Sequence, residues 1–197
     1  MLARARADLR MGVPVILSDE ASAVLVTAVE TLNGARLADI RALGGAPVVV
    51  ISARRAETLK ARAYDGDLAR VVLPADADQS WVQSVADPAD DLEKPMKGPL
   101  MSVREGDARL HRLAMQLVKS ARMLPAALVL DIEDAGMFAA KHALTRLDAE
   151  ATRPHLEVNS PMHSVVSARL PVEVSEAGRL HVFRPDDGGE EHYASGS

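Results

Sequence analysis

Along the first 130 positions, apolar residues fall into short unbroken blocks: "VPVIL" at 13–17, "AVLVTAV" at 23–29, "PVVVIS" at 47–52, "ARVVLP" at 69–74 and "AALVLDI" at 126–132. Blocks of this length without polar alternation predict strands covered on both faces. Helical segments fill the gaps between most of them. "LARARADLRM" ends where Gly12 can cap it, "ARLADIRAL" stops at Gly44 and Gly45, and Ser52 can cap the start of "ARRAETLKARA". The strongest amphipathic stretch is "ARLHRLAMQLVKSARML", with Leu110, Leu113, Ala114, Leu117 and Ala121 on one stripe, which reads as a packing helix. Strands and helices in alternation predict an α/β (α+β) domain, a three-layer mixed sheet with helices on both faces, in which residues 15–17 and 48–51 are interior strands.

Elsewhere the pattern is weaker. Pro88, Pro95, Gly98 and Pro99, set among Asp and Lys, predict a long loop over 76–104. "MFAAKHALTRLDAEA" at 137–151 predicts a helix and "RPHLEVNSP" at 153–161 a loop. Beyond Ser160 the texture becomes two or three short strands, with turns expected at Glu176-Ala177-Gly178 and at Asp186-Asp187-Gly188-Gly189. This predicts two domains, 1–160 and a short β-rich segment at 161–197.

Composition narrows the function classes. Hydrophobic residues make up 48% of the 197 positions but aromatics only 3%, so the core is built from Ala, Val, Leu and Met and offers little surface for stacking bases. With a net charge of -5, no nucleic-acid partner is expected. The chain has no cysteine, which removes disulfides, thiolate nucleophiles and cysteine-ligated zinc. Its charged N-terminal segment contains no apolar run of signal-peptide or membrane-span length, so no membrane association and a cytoplasmic location are expected.

Candidate chemistry begins with Asp19 and Glu20, which follow the first apolar block. Adjacent residues on an extended segment point in opposite directions, so the two acids can face one cation only if the chain turns there. Asp131 ends the last apolar block. His142, His155, His163 and His181 are scattered with no HxH or HExxH spacing. Lys94, Lys97 and Arg104 read either as a solvated loop or as an anion site.

Three stretches carry a resemblance: "ADLRMGVPVILSDEASAVLVTAVE", "LADIRALGGAPVVVISARRAETL" and "LHRLAMQLVKSARMLPAALVLDIEDAGMFA". They resemble 3,4-dihydroxy-2-butanone 4-phosphate synthase, in which a helix and a strand lead into a long acidic loop. That resemblance implies a divalent metal such as Mg2+, carboxylates that move protons on ribulose 5-phosphate, and a homodimer. The chain departs from the family at each polar cluster. "SDEASA" is several residues shorter than the acidic loop and lacks its R-E-N-E-G-D segment. Asp131 stands where the family has a glutamate. Counting back from Pro125, the family's metal-binding histidine falls on Leu110, with His111 one position off, and Arg112 and Leu113 do not match the Thr and Glu that follow it. The phosphate-binding R-P-G-H pattern is not reproduced in "EKPMKGPLMSVREGD", which supplies Lys94, Lys97 and Arg104. The expectation is a degenerate, non-catalytic synthase-like domain with Asp19, Glu20 and Asp131 as vestiges of a site. Two alternatives are an active Mg2+-dependent sugar-phosphate enzyme and a phosphometabolite-binding module.

The tail resembles a second family. Arg169-Leu170-Pro171 and Glu191-His192, spaced around a strand-turn-strand pattern, are similar to the opening of GTP cyclohydrolase II. That resemblance implies a fused riboflavin-biosynthesis polypeptide of which residues 161–197 are the start of the second domain. The cyclohydrolase's zinc-binding cysteines are absent from this chain. Strands 166–184 are expected to expose unpaired edges and to favour a homodimer.

Overall fold

The computed structural model describes residues 1–95, 97–157, 162–169, 179–185 and 192–196. They fall into two compact units, Met1–Leu156 and Glu157–Ser197. In the first unit, β1 (Val15–Ser18), β2 (Ala23–Ala28), β3 (Val48–Ser52), β4 (Leu68–Val72), β5 (Ala126–Asp131) and β6 (Thr145–Asp148) form one sheet in the order β4-β3-β5-β2-β1-β6. β6 runs parallel to β1, and the other neighbours are antiparallel. β1 and β3 are interior, as their unbroken apolar blocks predict.

Because side chains alternate across a strand, each face of the sheet carries its own core. Val48 and Val50 belong to one, and Val49 and Ile51 to the other. Helices α1 (Leu2–Arg10) and α5 (Arg109–Ser120) cover the first face with Ala5, Leu9, Leu113 and Leu117. The second face is covered by α2 (Gly34–Ala42), α3 (Ala53–Thr58), α4 (Gln79–Ala86) and α6 (Ala135–His142), through Leu37, Ile40, Ala56, Val82, Val85 and the half-buried Phe138. This is the three-layer mixed α/β arrangement expected from the sequence. Gly12 follows α1 with φ +75°, and the Ser52 hydroxyl accepts the Arg55 N–H at 3.2 Å to start α3.

Three local readings are corrected. Within the expected loop 76–104 lies α4, capped by Asp78 through the Trp81 N–H at 2.7 Å and followed by a 3-10 turn at Pro88–Asp91. Its polar sequence conceals an apolar face only one turn wide, Val82, Val85 and Ala86. The expected helix at 137–151 is broken by β6, where Thr145 and Leu147 are buried and Arg146 and Asp148 exposed. Four alternating residues between helix-forming neighbours are too few to register as a strand. The expected loop from 153 is instead the end of α7 (Ala149–Glu157), which runs through Pro154 and is started by the Asp148 carboxylate on the Ala151 N–H at 2.8 Å.

The second unit holds β7 (Met162–Arg169), β8 (Arg179–Pro185) and β9 (His192–Gly196), antiparallel in the order β7-β8-β9. The expected turns at 176–178 and 186–189, and with them Leu170, Pro171, Glu191 and the boundary at Ser160, lie outside the described residues. No helix among the described residues is long and apolar enough to cross a membrane.

Candidate functional site

The two strand-end acids sit in a tight turn between β1 and β2. Asp19 Oδ1 accepts the N–H groups of Ala21 (2.9 Å) and Ser22 (2.8 Å) and the Ser22 hydroxyl (3.1 Å), and the Asp19 N–H donates to the Ser22 carbonyl at 3.0 Å. Its other oxygen faces Arg109 Nη2 at 3.4 Å. These partners, the Ala21 N–H foremost, hold the Asp19 carboxyl below the usual carboxylate range. Glu20 is exposed.

The turn is one wall of an open cleft of about 520 Å3. Glu133, Asp134 and Gly136 form the opposite wall, and Arg146 of β6 closes one end with Nε donating to the Ser18 hydroxyl at 3.0 Å. Asp134, with φ 40°, caps α6 by accepting the Met137 N–H at 2.9 Å. Gly136 lies between the two groups: a Cβ there would meet Arg146 Nη1 at 3.4 Å and Asp134 Oδ1 at 3.6 Å, in ordinary contact. Four carboxylates and one guanidinium thus line the cleft. Glu133, Asp134 and Arg146 were not singled out in the sequence, although the strand-end argument that marks Asp19 applies equally to the acids after β5.

Neither Asp131 nor His111 lines this cleft. Asp131 ends β5 with its side chain exposed, on the face shared by Ala127 and Val129. His111, in the first turn of α5, is 7% exposed and its Nδ1 has no hydrogen-bond partner. Burial and the charge of Arg70 push its pKa down, against the opposing pull of Asp131, Asp65 and Asp107. Arg70 is itself buried and fixed by Asp65 through two bonds of 2.9 Å.

A hard divalent cation takes six or more oxygen ligands from convergent carboxylates, carbonyls and water. Here Asp19 is committed to its turn and Asp134 to its helix. Among the described residues, no three His, Cys, Asp or Glu side chains are placed to share a metal ion. The side chains present therefore do not fit the metal that the resemblance implies.

The three cations of 94–104 do not converge. The Lys94 ammonium bonds the Ser80 hydroxyl, and the Arg104 guanidinium lies over the Tyr64 ring, 5.2 Å from its centroid. Lys97 is buried and paired with Asp91, which Arg55 also grips at 2.6 Å and 2.8 Å. Arg55 and Lys97, in that order, hold the Asp91 carboxyl far below its ordinary range. Lys97 and Lys60 line a second cleft, of about 600 Å3.

The chain is similar in fold to solved structures over 80% or more of its length. A two-domain 3,4-dihydroxy-2-butanone 4-phosphate synthase from A. baumannii is similar at a TM-score of 0.56 and 16% identity, over 100% of this chain and 69% of that one. The synthase of Candida albicans is similar at 0.57 and 15%, over 80% of this chain and 97% of that one. The fold is that of 3,4-dihydroxy-2-butanone 4-phosphate synthase. In sequence, the chain is similar to a GTP cyclohydrolase-2 from Azospirillum brasilense, with 30% identity over 160 residues, 79% of this chain. It spans 42% of that relative's length. No family model matches the chain. The resemblance to both families read from the sequence therefore holds, synthase by fold and cyclohydrolase by sequence.

Proposed function

We propose that this chain is a synthase-fold domain of a riboflavin-pathway GTP cyclohydrolase II polypeptide, without synthase activity of its own, with a structural role in dimerisation. The observation that carries the reading is Asp19: a carboxylate that a metal site would need free is spent on three local hydrogen bonds and an arginine. The shared fold and the 30% sequence identity support the pathway assignment. Proton transfer on a sugar phosphate by metal-assisted chemistry needs an open coordination site and a poised acid or base. Asp19 held ionised, Glu20 in solvent and His111 sealed beneath α5 supply neither. The test is formate release from ribulose 5-phosphate with Mg2+. We expect none above the protein-free background, and release that disappears in Asp19→Ala or Glu20→Ala would overturn the reading.

A second reading, a phosphometabolite-binding module, is favoured by the cleft at Lys97. Its ammonium is buried against the Asp91 carboxylate, and Arg55 spends its other donors on the carbonyls of Ser84, Val85 and Asp87. Among the described residues, Lys97 and Arg55 both meet Asp91, and Lys60 lines the same cleft as Lys97. Ribose 5-phosphate that raises the melting temperature of the wild-type chain but not of Lys60→Ala would favour this module over a purely structural role.

A further inference from the structure

The segment 101–107 runs along the outer edge of β4 and leads directly into α5. Among the described residues, two backbone hydrogen bonds join it to the sheet, on either side of the bridge between Val71 and Ser102. The Val72 N–H donates to the Met101 carbonyl at 2.8 Å, and the Val103 N–H to the Arg70 carbonyl at 2.9 Å. The Ser102 hydroxyl between them is buried without a partner, so this cover is imperfectly fitted. Its other anchor is a side chain. Arg70, 4% exposed and bound to Asp65, also donates through Nη2 to the carbonyls of Glu105 at 3.0 Å and Gly106 at 3.4 Å. His111, the third residue of α5, is buried with Nδ1 unpartnered, and Arg70 is the cation that acts on its ring. The first turn of a helix also disfavours a positive charge, and Ala108 adds no side-chain cap there.

We propose that His111 and Arg70 form an acid-sensitive latch, in which a proton on the ring makes Arg70 release Glu105 and Gly106 and so frees 101–107 from the edge of β4. Three carboxylates act in the other direction, Asp131 of β5, Asp65 before β4 and Asp107 ahead of α5. Each is engaged elsewhere or in solvent: Asp65 on Arg70, Asp107 on Arg109, and Asp131 exposed. Arg112, next to His111 on α5, is held by Asp67 at 2.6 Å. An imidazolium is therefore left facing Arg70 in a buried space, where like charges repel strongly. The paired bonds from Arg70 to Asp65 are the stronger attachment, and the bonds to the two carbonyls give way first. Release bares the outer edge of β4, whose backbone groups can then pair with another strand.

The test is amide hydrogen exchange in the full chain, corrected for the intrinsic rate at each pH, at Val72 and Val103 and at Val50 of the interior strand β3. Val72 and Val103 should be less protected than Val50 and should exchange with little dependence on urea, the mark of a local opening. Lowering the pH from about 7.5 to about 5.5, across the ordinary histidine range, should make that opening more frequent by up to about ten-fold. In His111→Gln, which stays neutral, the pH response at Val72 and Val103 should vanish. In wild type, the midpoint of the opening should coincide with the titration of the His111 ring followed by its carbon-bound protons, a comparison that holds even where the variant does not fold. Three results overturn the proposal. Val72 and Val103 exchange only together with Val50, so that the cover has no opening of its own. Their opening is the same at both pH values, so that the ring takes its proton without moving Arg70. The response survives in His111→Gln or has a midpoint away from the ring's, so that another group is the trigger.

Discussion

Asp19 and His111 show how a side chain of the right chemical type can be put to another use. The Asp19 carboxylate holds its turn together by accepting the N–H groups of Ala21 and Ser22, as Asp side chains do in Asx turns. Asp19→Ala should therefore lower stability by about 1 kcal/mol at pH 7, read from urea midpoints. Its folded pKa is lowered, so the stability it adds is present above the unfolded value of 3.8 and is lost as pH falls below it. The gap between wild type and variant should narrow as pH falls below 3.8, and a gap that keeps its full size however far the pH is lowered would refute the account. His111 has the opposite dependence. Its folded pKa lies below the unfolded value of 6.5, so the unfolded chain takes up its proton first. Stability should fall as pH drops from 7 through 6.5 and below, and His111→Gln should flatten that slope. A slope unchanged by the substitution would mean that the ring is not buried neutral beside Arg70.

Among the elements, what could be read from the sequence depended on length and company. β1, β2, β3 and β5 were legible because both faces are covered, which leaves unbroken runs of Val, Leu and Ile. β6 was not, because an edge strand of four residues shows only two buried positions, Thr145 and Leu147. α4 was hidden for a different reason. Much of what holds it comes from a residue far away in sequence: Arg55 of α3 donates to the carbonyls of Ser84, Val85 and Asp87 and so satisfies the end of the helix. No local pattern at 79–86 records that. Arg55 is 9% exposed, and its removal would leave these carbonyls unpaired and Asp91 with Lys97 alone. Arg55→Met is expected to cost about 3 kcal/mol or more, in the range for breaking a buried pair. The checks are the denaturant midpoint and hydrogen exchange at 79–91, which should rise more than exchange in β3. A uniform change across the sheet would show that Arg55 is not specific to α4. The cleft follows the same division. Asp19 and Glu20 were legible as strand-end acids, whereas Arg146 reaches the cleft only because β6 pairs with β1.

For the whole molecule, the two units differ in how they can be stable. Met1–Leu156 carries a sheet with its own apolar core on each face. In the second unit, every residue of β7 from Ser164 to Ala168 is exposed, Val165 at 50% and Val166 at 55%, and Tyr193 of β9 at 64%. A three-stranded sheet needs a buried apolar face to persist in water, and the described strands show none on β7. β7 and β9 are also the outer strands of this sheet among the described residues, and outer strands tend to recruit another chain. We therefore expect the full chain to self-associate through the tail, by strand pairing or by burial of Val165 and Val166 against a second copy. A chain ending at residue 157 should be monomeric by light scattering and should melt as the first unit does in the full chain. Val166→Lys in the full chain should weaken association without shifting that melting transition. If the shortened chain is still a dimer, the interface belongs to the first unit. If both chains are monomers and amides in β7 are protected from exchange, the tail is covered from within its own chain, and the proposed dimerisation role fails.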